Sequence, residues 1–461
     1  MRWDVLRKRS ADLWRNTAGA TALFMAIGLI PVVGSVGLAV DSSIGYLLKS
    51  RMSKALDAAG LAAGRVAAND DVAQVARKYF DANFGEAADV TLTDFKFELD
   101  STKTFVTLSA KATTPTVFMQ IFGQDQMLVA AQTVIQRQTT GMELALVLDN
   151  TGSMQDDNKF TGMQKAAHDL VSILYGPKSE IDNLWVSVVP FVAAVNIGSA
   201  RTGWLASGDK AIKTPGAWAP EKWKGCVMAR SAPYDSDDTP PSVQPFTSLL
   251  WPADSKYNVW SSSKVVTSPL NSQSGPNLAC PTAILPLTAA RASVDAAISA
   301  MSVAPKRAGT AGDIGVAWGW RTISPRWRGL WGGTTPKTLP LDYKTELMDK
   351  VMVILTDGDN NLVTNDYSAY GYLKDLGLTT STARTMIDTR MAATCTTLKA
   401  ADKGVIIYTI VFGTDTTTAA KTLLSGCASS PSMYFFAPDN ATLAKAFNTI
   451  AGQLANLRIV K

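Results

Sequence analysis

The 461-residue chain is long enough for two or three domains, and its 46% apolar and 18% charged content marks it as globular rather than disordered. A net charge of only +5, with no dense Lys/Arg block, argues against nucleic acid as a partner. The lone histidine, His168, argues against a Ser/His/Asp or Cys/His hydrolase.

The first fifteen residues are basic, with Arg2, Arg7, Lys8, Arg9 and Arg15 against Asp4 and Asp12. Ala18 to Val40 then carries no charge over 23 residues. That is about 35 Å of helix at ~1.5 Å per residue, enough to cross a bilayer core of ~30 Å. We expect a single-pass anchor of a bacterial inner membrane with a cytoplasmic N-terminus, because the positive flank stays inside. The bulk of the chain is then periplasmic or at the cell surface. A signal peptide cleaved near Gly37-Leu-Ala-Val40 is the alternative, but the apolar run exceeds the usual ~7–15 residues. Pro31, Gly34 and Gly37 predict a kink, which a membrane helix tolerates. Beyond the run, Ile44, Leu47, Leu48, Met52, Ala55, Leu56, Ala59, Ala62, Ala63 and Val66 keep a helical period, with Lys49, Arg51, Lys54 and Asp57 between them. One long helix is expected, apolar in its first half and amphipathic in its second.

Val72–Phe84 reads as a short helix. Val90–Leu99 alternates with a slip near Asp94, Asp100–Lys103 is turn-like, and Thr104–Ala110 alternates again. Pro115–Phe122 predicts a helical turn or two and Met127–Gln136 a third strand, so a small sheet is expected to pack on the long helix. These segments divide the N-terminal part into residues 1–68 (basic tail, membrane helix and stalk) and 69–140 (a small α+β domain).

Leu144-Ala-Leu-Val-Leu-Asp149 is an apolar run ending in a carboxylate, and Thr151 and Ser153 follow at spacing two. A strand covered on both faces needs no polar alternation, so the run predicts a buried parallel strand. Lys350-Val-Met-Val-Ile-Leu-Thr-Asp-Gly358 predicts a second, again ending in a carboxylate, Asp357. Phe160, Met163, Ala167, Leu170, Val171 and Leu174 form one face of the helix after the first turn. Trp185–Phe191 and Val405–Phe412 are further strands, and Ala289–Met301 and Thr385–Ala401 helices. Leu443, Phe447, Ile450, Leu454 and Leu457 are the stripe of a last helix capped by Asp439 or Asn440. Alternating strands and helices over residues 141–461 give an α/β domain with a doubly wound, mostly parallel sheet. Its strand-end carboxylates are expected at an open mouth along the carboxyl edge, where such sheets bind ligands. Residues 201–284 break the rhythm, being rich in Pro, Ser, Trp and Gly. Nine of the twelve tryptophans lie between 204 and 331, so this insertion is either a recognition surface or a small domain with a Trp mini-core.

The Asp149-x-Thr151-x-Ser153 pattern resembles the metal-ion-dependent adhesion site of von Willebrand factor A domains. Gly309-Thr310-Ala-Gly-Asp-Ile-Gly315 is similar to that family's Gly-Thr loop, which supplies another hydroxyl. The resemblance implies one site for Mg²⁺, with Mn²⁺ or Ca²⁺ as alternatives, held by Asp149, Thr151, Ser153, Thr310 and Asp357. Hard oxygen donors suit such a cation. The long helix, Thr104-Phe-Val-Thr-Leu-Ser-Ala-Lys-Ala-Thr, Val117-Phe-Met-Gln-Ile-Phe-Gly and the Cys395–Pro438 tail resemble TadG-like Flp pilus-assembly proteins. Counting from Gly19 as a cleavage glycine, however, the fifth residue is Phe24 and not the Glu of true prepilins, so processing by prepilin peptidase is not expected.

Four cysteines in an exported chain favour disulfides. Of three pairings we expect Cys226–Cys280 and Cys395–Cys427, each local to one region. Zinc is the alternative, but no Cys-x-x-Cys spacing occurs. The resemblances imply a non-enzymatic component of pilus assembly or cell adhesion, binding an acidic side chain of a pilus or envelope protein through the metal. Two alternatives stand beside it: a structural envelope protein that has lost the metal, and a metal-dependent hydrolase. The phosphatase form of the latter wants Asp where Thr151 stands.

Overall fold

The computed structural model describes residues 17–64, 72–85, 89–99, 105–136, 141–213, 222–253, 258, 274–307 and 309–457. The basic tail, the Asp100–Lys103 turn, Val66, Trp218 and Trp260 lie outside the described residues. The chain forms two compact units, residues 1–139 and 140–461.

In the first unit a single 48-residue helix, α1 (Thr17–Gly64), continues through Pro31. Its apolar side chains from Leu23 to Val36 stand exposed. From Asp41 onward one face is buried, through Gly45, Leu48, Met52, Ala55, Ala59 and Ala63. Steps of three and four residues are what one helical face requires. Leu47 falls off this face and is exposed, although an apolar-residue pattern alone assigns it there. Helix α2 (Val72–Phe84) contributes Ala76, Phe80 and Phe84. Three antiparallel strands, β1 (Thr91–Leu99), β2 (Phe105–Pro115) and β3 (Gln126–Gln136), complete the layer. The predicted slip near Asp94 is a register shift between Leu92 and Asp94. Val106, Leu108, Ala110 and Ala112 alternate into the core with Met52 and Leu56. Thr133 Oγ1 donates to Asp57 Oδ1 at 2.8 Å, tying β3 to α1. A 3₁₀ turn, Met119–Phe122, joins β2 to β3.

The second unit is built on the strands β4 (Gly141–Asp149), β5 (Leu184–Phe191), β6 (Val195–Asn196), β7 (Cys226–Val227), β8 (Leu285–Thr288), β9 (Gly309–Thr310), β10 (Met348–Thr356), β11 (Asn361–Leu362), β12 (Ile406–Phe412) and β13 (Tyr434–Ala437). Its main helices are α3 (Lys159–Tyr175), α4 (Arg291–Ala300), α5 (Gly312–Ile323), α6 (Thr380–Lys399), α7 (Thr418–Cys427) and α8 (Asn440–Leu457). The main sheet runs β8-β5-β4-β10-β12-β13, parallel except for the antiparallel β8. Counted along the chain these strands read 3-2-1-4-5-6, the order of doubly wound sheets. Every residue of β4 is buried, as a strand covered on both faces must be. Leu144, Leu146 and Leu148 face α3, α4 and α8 on one side. Ala145 and Val147 face the α5 side. Within β4 and β10 the registered pair Glu143 and Lys350 forms a buried ion pair. Its remaining capacity is met by Leu341 N–H and the Ile323 carbonyl, each at 2.7 Å. The last helix is capped by Asp439, whose Oδ1 accepts from Thr442 N–H at 2.7 Å.

The insertion is sewn to the sheet. Strands β6 and β7 extend it beyond β5, and Cys226 is bonded to Cys280. Cys395 is bonded to Cys427, linking α6 to α7. The described tryptophans between 204 and 331 form a mini-core: Trp204, Trp223, Trp251, Trp318, Trp320, Trp327 and Trp331 are all buried. Trp204 meets Trp327 and Trp331 edge-on at 5.2 and 5.1 Å, the geometry aromatic quadrupoles favour. Helix α5 is consequently buried on every side. Its Arg321 guanidinium lies against Trp318 and Phe246 and donates to the carbonyls of Tyr234, Asp235 and Asp237 in the insertion.

Candidate functional site

Asp149 ends β4, and Asp357 follows the neighbouring β10. These two strands flank the point where the strand order reverses, the crevice in which doubly wound sheets bind ligands. Asp149 Oδ1 accepts from Thr151 N–H at 2.8 Å, an Asx turn that folds the chain back over the strand end. Asp149 Oδ2 accepts from Thr356 Oγ1 at 2.6 Å. The Thr151 and Ser153 hydroxyls are 3.1 Å apart, and Ser153 Oγ donates to Asp357 Oδ1 at 2.7 Å. Four of the five residues named from the sequence thus lie in one chain of hydrogen bonds.

Thr310 sits on the adjacent loop. Its strand β9 pairs with β11, four residues beyond Asp357. The following Ala311 N–H donates to Val192 O, just past the end of β5. Gly309 holds a φ of +87°, and a Cβ there would stand 2.0 Å from Asn361 O, so the β9–β11 pairing requires glycine. Among the described residues no hydrogen bond joins the Thr310 hydroxyl to the other four.

The carboxylates are not at an open mouth. Asp149 is 0% and Asp357 3% exposed, and Ser153 is the exposed member. The segment 304–306 covers the turn: Ala304 N–H donates to Asn150 O at 2.8 Å, and Gln155 Nε2 donates to Ala304 O at 2.9 Å. A Cβ on Gly152 would come within 2.4 Å of Lys306 Cα, so the two backbones meet there. Burial, and after it the charge of Asp357, push the Asp149 carboxyl up to about 7, against the hydrogen bonds from Thr151 and Thr356.

Two residues of the cluster have no assigned role in the sequence pattern. Thr356 is one. The other is Lys159, whose Nζ donates to Asp357 Oδ2 at 3.0 Å, with both side chains buried. Lys159 opens α3 immediately after Asp157 and Asn158, both in the left-handed region. A lysine in the first turn of a helix opposes the macrodipole. That misplacement, in a helix with an otherwise regular apolar face, is the signal by which the sequence could have flagged it.

The match of residues 19–69 to the Tad family model, Flp pilus-assembly TadE/G-like, decides the character of the N-terminal part. The chain opens with a TadE/G-like segment. The doubly wound sheet just described follows it in the chain. Similar solved structures include the vWF domain of the type V pili tip protein Mfa5 from Porphyromonas gingivalis. It is 12% identical, with a TM-score of 0.34, over 70% of this chain and 97% of that one. A variant of the PilB minor pilin from Streptococcus sanguinis is also 12% identical, with a TM-score of 0.34, over 81% and 80%. Proximal thread matrix protein 1 from the mussel byssus, solved in one case with a zinc-occupied MIDAS motif, is 16% identical there, with a TM-score of 0.32. That match covers 69% of this chain and 46% of the mussel protein, so the chain spans about half of that relative's length. No curated protein matches the chain in sequence.

Among the described residues no three His, Cys, Asp or Glu side chains are grouped as a metal cluster. The donor set of this site is of another kind, two carboxylates with the hydroxyls of Thr151 and Ser153. It is all oxygen, with two buried carboxylates and a single ammonium, Lys159, beside them. Such a set fits a hard divalent cation. His168 is engaged elsewhere, with Nδ1 2.7 Å from Asp295 Oδ1.

Proposed function

We propose that the protein is a membrane-anchored, non-enzymatic component of Flp (Tad) pilus assembly or adhesion. Its α/β domain would bind an acidic side chain of a pilus or envelope protein through a divalent metal, Mg²⁺ first and Mn²⁺ or Ca²⁺ as alternatives. The observation that carries the proposal is the bonded cluster Asp149–Thr151–Ser153–Asp357 at the switch point of the sheet. The TadE/G-like match at residues 19–69 supports the pilus context. The 44 described residues Thr21–Gly64 include a span apolar enough to cross a membrane, which supports a single-pass anchor with the bulk of the chain outside the cytoplasm. Asp149, Thr151, Ser153 and Asp357 would hold the metal, with Thr310 on the neighbouring loop. When bound, it supplies an electrophilic centre for a carboxylate. The chain's own hydroxyls are neutral donors that leave its charge undiminished, and the buried turn keeps bulk water from the two aspartates.

Titration of the full-length protein in detergent with Mg²⁺ or Mn²⁺ tests this. At a hundredfold excess over Kd the metal should stabilise the fold by about 2.7 kcal/mol. Asp149→Asn should abolish that rise in melting temperature. The Lys159–Asp357 ion pair favours a second role, a structural envelope domain whose internal ammonium has replaced the metal. Absence of any metal-dependent shift in the unsubstituted chain would decide for that role.

A further inference from the structure

The turn between β2 and β3 has a composition the proposed function does not use. From Ala112 to Gln124 no residue is charged. Within it Val117, Ile121 and Phe122 are 51%, 72% and 53% exposed. A contiguous exposed apolar cluster of this kind marks an interaction surface.

Its place along α1 identifies what it meets. A Cβ on Gly37 would lie 2.5 Å from Phe118 Cβ, and one on Gly34 would lie 3.3 Å from the Phe122 ring. The turn therefore rests on helix positions inside the charge-free run that ends at Val40. Gly34 is six residues before that end, about 9 Å along the axis at ~1.5 Å per residue. The first charged residue after the run, Asp41, is buried beneath the turn. Its carboxylate accepts from the backbone N–H groups of Val117 at 2.8 Å, Phe118 at 3.1 Å and Met119 at 2.7 Å. Further N–H groups close within the turn, Ile121 to Phe118 O, Gly123 to Gln120 O and Gln124 to Met119 O. Gln120 Nε2 donates to Val117 O at 2.8 Å. Non-helical backbone is tolerated at membrane depth only when its polar groups are satisfied in this way.

We propose that Val117–Phe122 is a wedge that dips into the outer hydrocarbon edge of the bilayer beside α1, seating the small sheet on the membrane surface. The inference rests on α1 being the membrane anchor. Given that, the exposed side chains lie level with lipid tails, and lipid is the occupant their uncharged, apolar chemistry fits. Gly34 and Gly37 let the two elements approach closely where α1 would otherwise be surrounded by lipid.

The test uses the full-length chain in vesicles of phosphatidylethanolamine and phosphatidylglycerol. Single cysteines at exposed positions, Ile30→Cys, Ile121→Cys and Glu98→Cys, carry an environment-sensitive fluorophore, and nitroxide-bearing lipids serve as quenchers. Position 98 lies at the far end of the small sheet. Blue-shifted emission at 121, lost to a shallow lipid nitroxide, with 98 unaffected and 30 quenched by a deep one, is the expected result. Quenching at 30 with 121 as wet as 98 would overturn the wedge and leave the anchor intact. A blue shift at 121 without lipid quenching would mean that protein covers the turn, and would also overturn it. Water-like emission at 30 would overturn the anchor, and the wedge with it.

Discussion

At the scale of single residues the most consequential side chain is Lys159. Its ammonium balances Asp357 in the interior of the site, where a second cation would have to compete with it. Replacing one partner of a buried ion pair costs about 3–5 kcal/mol. Lys159→Met should therefore lower the melting temperature of the metal-free protein. The same change should tighten Mg²⁺ or Mn²⁺ binding tenfold or more in calorimetry, about 1.4 kcal/mol per factor of ten. Unchanged metal affinity would show that the ammonium and the metal do not compete. Asp313, in the first turn of α5, is a second buried acid. Burial raises its carboxyl to about 7, although Tyr370 Oη donates to Oδ2 at 2.5 Å and Ile314 N–H to Oδ1 at 2.8 Å. Its folded value lies above its unfolded one, so the unfolded chain sheds this proton first. Its contribution is greatest below about pH 4, falls as pH rises to about 7, and is level beyond. Asp313→Asn removes the titration. The melting temperature of the variant relative to the parent should climb between pH 5 and pH 8. A constant difference would show that Asp313 does not titrate in that window.

At the scale of elements, β4 and β10 are held together by more than apolar burial. Glu143 and Lys350 face each other in register, and burial raises the Glu143 carboxyl and lowers the Lys350 ammonium. Glu143→Leu or Lys350→Leu alone strands a charge in the core and should cost about 3–5 kcal/mol, while the double substitution should recover most of the loss. Additive losses in a denaturation double-mutant cycle would contradict this. The loop carrying Thr310 is set by β9 and β11, and these by Gly309. Gly309→Ala should weaken metal binding while Asp149, Thr151, Ser153 and Asp357 remain in place. Metal titration of that variant measures what the Thr310 loop contributes.

At the scale of the molecule, the insertion and the doubly wound sheet share one core through α5 and the tryptophans. The two disulfides close loops of 54 and 32 residues, each contributing about 4 kcal/mol in the chain-entropy model. Their consequences should differ in kind. Cys226→Ser frees the insertion from the sheet edge, and limited proteolysis should then cut between residues 222 and 284. Cys395→Ser loosens α6 from α7 and should lower the melting temperature without opening the insertion. Identical cleavage patterns for the two variants would show that the insertion is held by its tryptophan core and not by its staple.

The sequence by itself determined the elements and their order. Periodicity reports whether a segment has one covered face or two, and it reported the stalk helix, the bulged β1, the buried β4 and β10 and the striped α8. It also placed two carboxylates and two hydroxyls at strand ends, because a strand that stops at a carboxylate delivers it to the sheet's edge in any parallel arrangement. Only the tertiary structure decided what meets at that edge. Lys159 and Asp357 are 198 residues apart, and no local pattern records that distance closing. The covering of the turn after Asp149 depends on segment 304–306 packing against it, and the all-round burial of α5 on an insertion whose irregular sequence has no period to read. The apolar turn at Val117–Phe122 acquired its meaning from Gly34 and Gly37 of α1, which the chain brings beside it after some eighty residues. Local patterning fixes which surfaces must be covered, and long-range packing fixes what covers them.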